Sequence, residues 1–145
     1  MCIRDRLKYR QYRHFICESS LFYFVEQELE KLVGGGQILF DSAFEYGREL
    51  AEFQTDSVKE VAKKYVMDYL SAIGFGDVHI RERNGFELIS HYFPWTELAD
   101  EINFSLFRGL ASGLMTGLLG KNVMFNEFTK NTSTEDGFTF ASAEN

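Results

Sequence analysis

The chain has 145 residues, enough for one domain that buries its own core without disulfides or bound metals. Its net charge of −7 argues against a phosphate backbone as partner, the more so because Arg4, Arg6, Lys8, Arg10 and Arg13 crowd the start and leave the body more acidic still. Fifteen Phe, seven Tyr and one Trp make up 16% of the residues, which calls for a thick aromatic core, an aromatic-lined pocket, or both.

The opening "MCIRDR" resembles the translated adapter sequence that begins many metagenomic reading frames, so residues 1–12 are set aside as non-native or disordered. That leaves Cys17 as the one cysteine of the domain, which excludes a disulfide framework and fits a reducing cytoplasm. No signal peptide is legible. A single domain is expected over 13–142, with 143–145 as a tail.

Arg13 to Ile16 reads as a short strand. A helix capped by Ser19 or Ser20 runs to about Val33, with Leu21, Val25, Leu29 and Leu32 as its apolar face. Glu26, Glu28 and Glu30, like Glu49 and Glu52 further on, read as solvated surface. Gly34-Gly35-Gly36 ends that helix. A second helix over about 38–54 carries Leu39, Phe40, Ala43, Phe44, Gly47, Leu50 and Ala51 on one side, and Gly47 in that stripe implies a close neighbour. A third, about 57–73, repeats Val58, Val61, Ala62, Tyr65, Val66, Tyr69, Leu70 and Ile73 at the helical period. Ser57 and Glu60 have capping-box spacing, and Gly74 is the stop.

Asn84-Gly85 between two apolar runs is a hairpin signal. With those two residues as the turn, Ile80 faces Ile89 and Val78 faces His91. His79 then lies on the other side beside Ser90, and the two histidines cannot share a metal. After Pro94 and Trp95, Thr96 starts a helix through Leu98, Ile102, Leu106 and Leu110 that ends at Gly120-Lys121. Strands follow at about 122–129 and 137–141, joined by a polar connection. The expectation is an α+β domain: an antiparallel sheet of hairpins packed with about four helices.

"RGLASGLMTGLLG" sets Gly109, Gly113 and Gly117 four apart on the most apolar helix, at a propensity cost of roughly 3 kcal/mol. A membrane dimer motif is excluded by length, because Arg108 and Lys121 bracket too short a run to span a bilayer. With Gly47, these glycines are expected to serve close packing against another element, a dimer seam, or the wall of a ligand site.

The tail "FSLFRGLASGLMTGLLGKNVMFNEFTKNTSTEDGFTF" resembles the closing segment of the V4R (4-vinyl reductase) domain family. There a glycine-rich helix leads into a strand ending at a glutamate, then a loop and a last strand. Here these are Gly109 to Gly113, Val123 to Glu127, and Phe138-Thr139-Phe140. "LFDSAFEYGRELA" is similar to the family's glycine-containing helix and "YLSAIGFGDVHI" to its helix-to-hairpin junction, so the resemblance covers about 13–142. It implies the fold shared with subunits of a vesicle-tethering complex, the ligand-binding fold of nitric-oxide signalling and Golgi transport. It also implies a cytoplasmic homodimer that senses a small hydrophobic or aromatic molecule. Alternatives are a 4-vinyl reductase-like component of bacteriochlorophyll synthesis and a structural dimerisation or adaptor domain.

Metal-bearing members of the family hold zinc with a glutamate and three cysteines. Glu127 matches the glutamate, but Lys130 and Phe138 stand at two cysteine positions and Phe104 near the third, so neither zinc nor another cofactor is expected. The candidate ligand-binding residues are His91, Tyr92, Trp95, Phe104, Phe107 and Arg108 at the hairpin-to-helix junction, with Phe44 and Tyr46 on a far wall. No catalytic constellation is legible.

Overall fold

The computed structural model describes residues 18–52, 57–94, 103–131 and 137–143, with backbone alone at 127–131, 137 and 143. Arg13 to Ile16, Cys17, Trp95 and Thr96 lie outside the described residues. Three helices come first: α1 (Ser19–Glu30), α2 (Gly35–Ala51) and α3 (Lys59–Ala72). A hairpin of β1 (Asp77–Glu82) and β2 (Gly85–His91) follows, then α4 (Ser105–Leu119), β3 (Phe125–Asn131) and β4 (Gly137–Ala143). The sheet order is β1-β2-β4-β3 and every pairing is antiparallel. The fold is therefore α+β, with four helices and four strands among the described residues.

The glycine stripe is the seam between α2 and α4. A Cβ on Gly109 would overlap the Phe40 carbonyl and one on Gly113 the Phe44 carbonyl. On Gly117 it would lie 2.7 Å from the Ala51 Cβ, and on Gly47, from the opposite side, 2.6 Å from the Leu110 oxygen. The partners advance in the same direction along both helices, so α2 and α4 run parallel in backbone contact. Dispersion attraction between the two backbones at this range offsets the propensity cost. Between the glycines, Ser112 and Thr116 bind the chain that leads into β3. Ser112 Oγ accepts from Phe125 N at 2.9 Å, and Thr116 Oγ1 accepts from Val123 N at 3.0 Å. No helix among the described residues is long and apolar enough to cross a membrane.

The expected face of α1 is reversed. Leu21 and Val25 are exposed, as is Leu32 just beyond the helix, while Tyr23 and Glu26 are buried and Glu30 is half-buried. The reason lies at the start of α4. Phe104 precedes it in the left-handed region (φ 54, ψ 36) and offers no side-chain cap. The first amides of α4 therefore need acceptors from elsewhere, and α1 turns its carboxyls inward to supply them. Glu28, Glu49 and Glu52 do lie at the surface.

Three other expectations are corrected. Phe104 in the left-handed region interrupts the single helix expected from Thr96 through Leu110, so α4 begins at Ser105. Val58, not Ser57, stands at the N-cap of α3 and gives it no side-chain cap, and Ser57 N donates to the Leu118 carbonyl at 2.7 Å. The hairpin register is one residue away from the expected one: Val78 pairs with Ser90, Ile80 with Leu88 and Glu82 with Phe86. Arg83 and Asn84 lie between the strands, and Gly85 opens β2 paired with Ala143 of β4 and not with β1. This slip keeps Phe86, Leu88, Val78 and Ile80 on one face, against Phe138, Phe140 and the α3 residues Ala62, Val66 and Leu70. It also brings His79 and His91 together on the outer face, rings 6.0 Å apart, in place of the opposite faces expected.

Candidate functional site

Six phenylalanines from four places in the chain converge beneath the start of α4. Phe75 precedes β1, Phe93 follows β2, Phe104 and Phe107 open α4, and Phe138 and Phe140 alternate on the inner face of β4. Phe93 stands edge-on to Phe104 at 5.2 Å and to Phe107 at 5.1 Å, and Phe75 tilts against Phe107 at 5.0 Å. Phe104 contacts Phe138 at 4.6 Å and Phe140 at 5.5 Å. These are the offset and edge-to-face geometries that ring quadrupoles favour. Five of the rings are fully buried. Phe75 is half-buried and sits between Gly74 and Gly76, whose φ values of 103 and 91 suit glycine alone.

A polar cap lies on the far side of the same helix start. Glu30 Oε2 accepts from Asn103 N at 2.7 Å, and Glu30 Oε1 accepts from Ser105 Oγ at 2.9 Å and Ser105 N at 3.3 Å. Glu26 Oε1 accepts from Leu106 N at 3.2 Å. Arg108 Nε donates to the Asn103 carbonyl at 2.7 Å and its terminal nitrogen to the Phe125 carbonyl at 3.0 Å, with the guanidinium 5.4 Å above the Phe40 ring. Burial pushes the Glu26 carboxyl up to about 8, against the pull of the Leu106 amide and with the added repulsion of Glu30. Burial likewise draws Arg108 below its usual range, which the charges of Glu30 and Glu26 oppose.

Of the expected site residues, Phe104 and Phe107 meet in the ring cluster. Arg108 belongs to the polar cap, and Phe44 stacks on Phe40 at 6.4 Å along the α2–α4 seam. His91, exposed Tyr92 and exposed Tyr46 do not join the rings, and Trp95 lies outside the described residues. Phe75, Phe93, Glu26 and Glu30 are not among the site residues expected from the sequence. The signal for the rings is their placement: Phe75 and Phe93 flank the hairpin symmetrically, and Phe138 and Phe140 share one strand face. The signal for the glutamates is a helix start with no capping residue of its own.

The position that the family resemblance gives to zinc is chemically unsuited to it. Phe104 and Phe138, standing near or at cysteine positions, press ring to ring at 4.6 Å and offer no donor atom. Among the described residues no group of three His, Cys, Asp or Glu side chains could hold a metal ion. The side chain of Glu127 is outside that description.

No protein-family model matches the chain, and no curated protein does. Among solved structures, it is similar to a vinyl-4-reductase family protein from Methanocaldococcus jannaschii, with a TM-score of 0.60 and 14% identity. The match covers 93% of this chain and 86% of that one, so the fold of the V4R protein is shared over nearly the whole length.

Proposed function

We propose that the chain is a V4R-type domain that binds a small hydrophobic or aromatic molecule, acts as a homodimer in the cytoplasm and passes its ligand state to a partner. The phenylalanine cluster carries this reading. Six convergent rings form an apolar, polarisable environment that suits a planar hydrocarbon, and nearby polar groups are already committed to the backbone. Phe75, half-buried between two glycines, is the least enclosed of the rings and the side from which this reading has a guest approach. The shared fold supports the same reading.

Two other readings have an observation each. A role in tetrapyrrole vinyl reduction draws on the family of the similar solved structure. An adaptor role draws on the exposed Leu21, Phe24 and Val25 of α1, a surface suited to a protein partner. A thermal-shift screen of aromatic and tetrapyrrole compounds on the wild type and Phe75→Ala tests the proposal. A sensor is stabilised by a compound whose affinity changes on truncating Phe75; no response across the panel counts against it.

A further inference from the structure

We infer that the junction of α1 with α4 is a protonation latch: α1 is seated on the first turn of α4 while Glu26 is neutral, and loss of the Glu26 proton to solvent unseats it. This inference does not rest on the ligand-binding reading. It begins from the reversal of α1, which buries a carboxyl and leaves Leu21, Phe22, Phe24 and Val25 exposed. No apolar stripe of α1 holds the helix down; Tyr23 is its one buried hydrophobic residue. Its specific attachment to α4 is the pair of glutamates that receive the Asn103, Ser105 and Leu106 amides.

That attachment depends on charge state. Glu26 is 3% exposed and lies one helical turn before Glu30 on α1. With one proton between them, the pair carries a single charge that complements the helix N-terminus. With both ionised, Glu26 carries a charge out of reach of water beside the charge of half-buried Glu30. The charged groups acting on Glu26 are Glu30 from its own helix and Arg108 from α4, and none from α2 or the sheet does so among the described residues. Arg108 offsets part of that charge through space, but its hydrogen bonds are directed at the Asn103 and Phe125 carbonyls, and burial of Glu26 outweighs its pull. The carboxyl is pushed up to about 8, so the seated form holds its proton across neutrality and weakens steadily as pH rises from 4.5 toward that value.

The test is hydrogen exchange by NMR on the full chain, read as protection factors so that base catalysis is divided out. In the wild type, protection at Leu106 and along α1 falls by up to about tenfold per pH unit between 4.5 and about 8 and levels off above, while the α2–α4 seam keeps its protection. Glu26→Gln retains the acceptor for Leu106 N and removes the titration, so its protection stays flat over that range. Equal pH courses in the two proteins overturn the latch. Should Glu26→Gln fail to fold, the wild-type Glu26 carboxyl carbon decides. A titration near about 8, where the Leu106 protection levels off, is expected; one in the ordinary carboxylate range refutes the proposal.

Discussion

Gly113 rests directly on the backbone of Phe44, so that even a methyl group at residue 113 would overlap the Phe44 carbonyl oxygen. The contact is backbone to backbone, and neither side can give by a rotamer change. Alanine improves helix propensity by about 1 kcal/mol, but here it must force α2 and α4 apart, and overpacking typically costs about 1–3 kcal/mol. Gly113→Ala is therefore expected to lower the urea midpoint despite the propensity gain, and Gly113→Leu to prevent folding. At Gly74 a Cβ would meet nothing within 4 Å and only its φ of 103 resists substitution, so Gly74→Ala should cost less than Gly113→Ala.

Glu30 holds three donors at the start of α4. Its replacement by alanine leaves two amides and a hydroxyl without that acceptor, which should cost about 1–3 kcal/mol in chemical denaturation. It also removes a charge that pushes the Glu26 carboxyl up. The Glu26 titration should then move downward, a response that a generic packing loss would not produce.

The pH dependence of stability has a definite sign. The Glu26 carboxyl stands at about 8 in the folded chain against an ordinary value of 4.5, so the folded state holds a proton that the unfolded state has lost. The stability associated with neutral Glu26 is fully present below 4.5 and is lost as pH rises to about 8. Across that window wild type should lose stability relative to Glu26→Gln at up to about 1.4 kcal/mol per pH unit. Urea midpoints of the two proteins measured side by side isolate this contribution from all other groups.

Adding Zn²⁺ should neither bind stoichiometrically nor raise the melting temperature, because the Phe104–Phe138 ring pair stands where the family resemblance calls for thiolates. Calorimetric titration checks this, and a tight one-to-one site would refute it.

The helices and strands are written in local patterns, which is why the third helix, the hairpin and the final strand pair are legible from residues alone. What is not legible depends on who stands opposite whom. Asn84-Gly85 marks a turn, yet the register follows from burying Phe86 and Leu88 with Val78 and Ile80, a choice made by the whole sheet. Leu21 and Val25 have helical spacing, yet the uncapped start of α4 outweighs their burial and turns Glu26 inward. The site divides in the same way. Phe104 and Phe107 can be named from the chain, whereas Phe75 and Phe93 become neighbours only when the hairpin closes.

The proposal that the phenylalanine cluster takes a small hydrophobic guest is tested most directly by native mass spectrometry of the full chain purified from expressing cells. The expected species is a dimer carrying a small apolar molecule, with a melting temperature that rises when the molecule is resupplied. At a roughly hundredfold excess over Kd the gain is about 2.7 kcal/mol. A dimer with nothing bound, and no thermal response to aromatic or tetrapyrrole compounds, would contradict the proposal and leave the adaptor reading in its place.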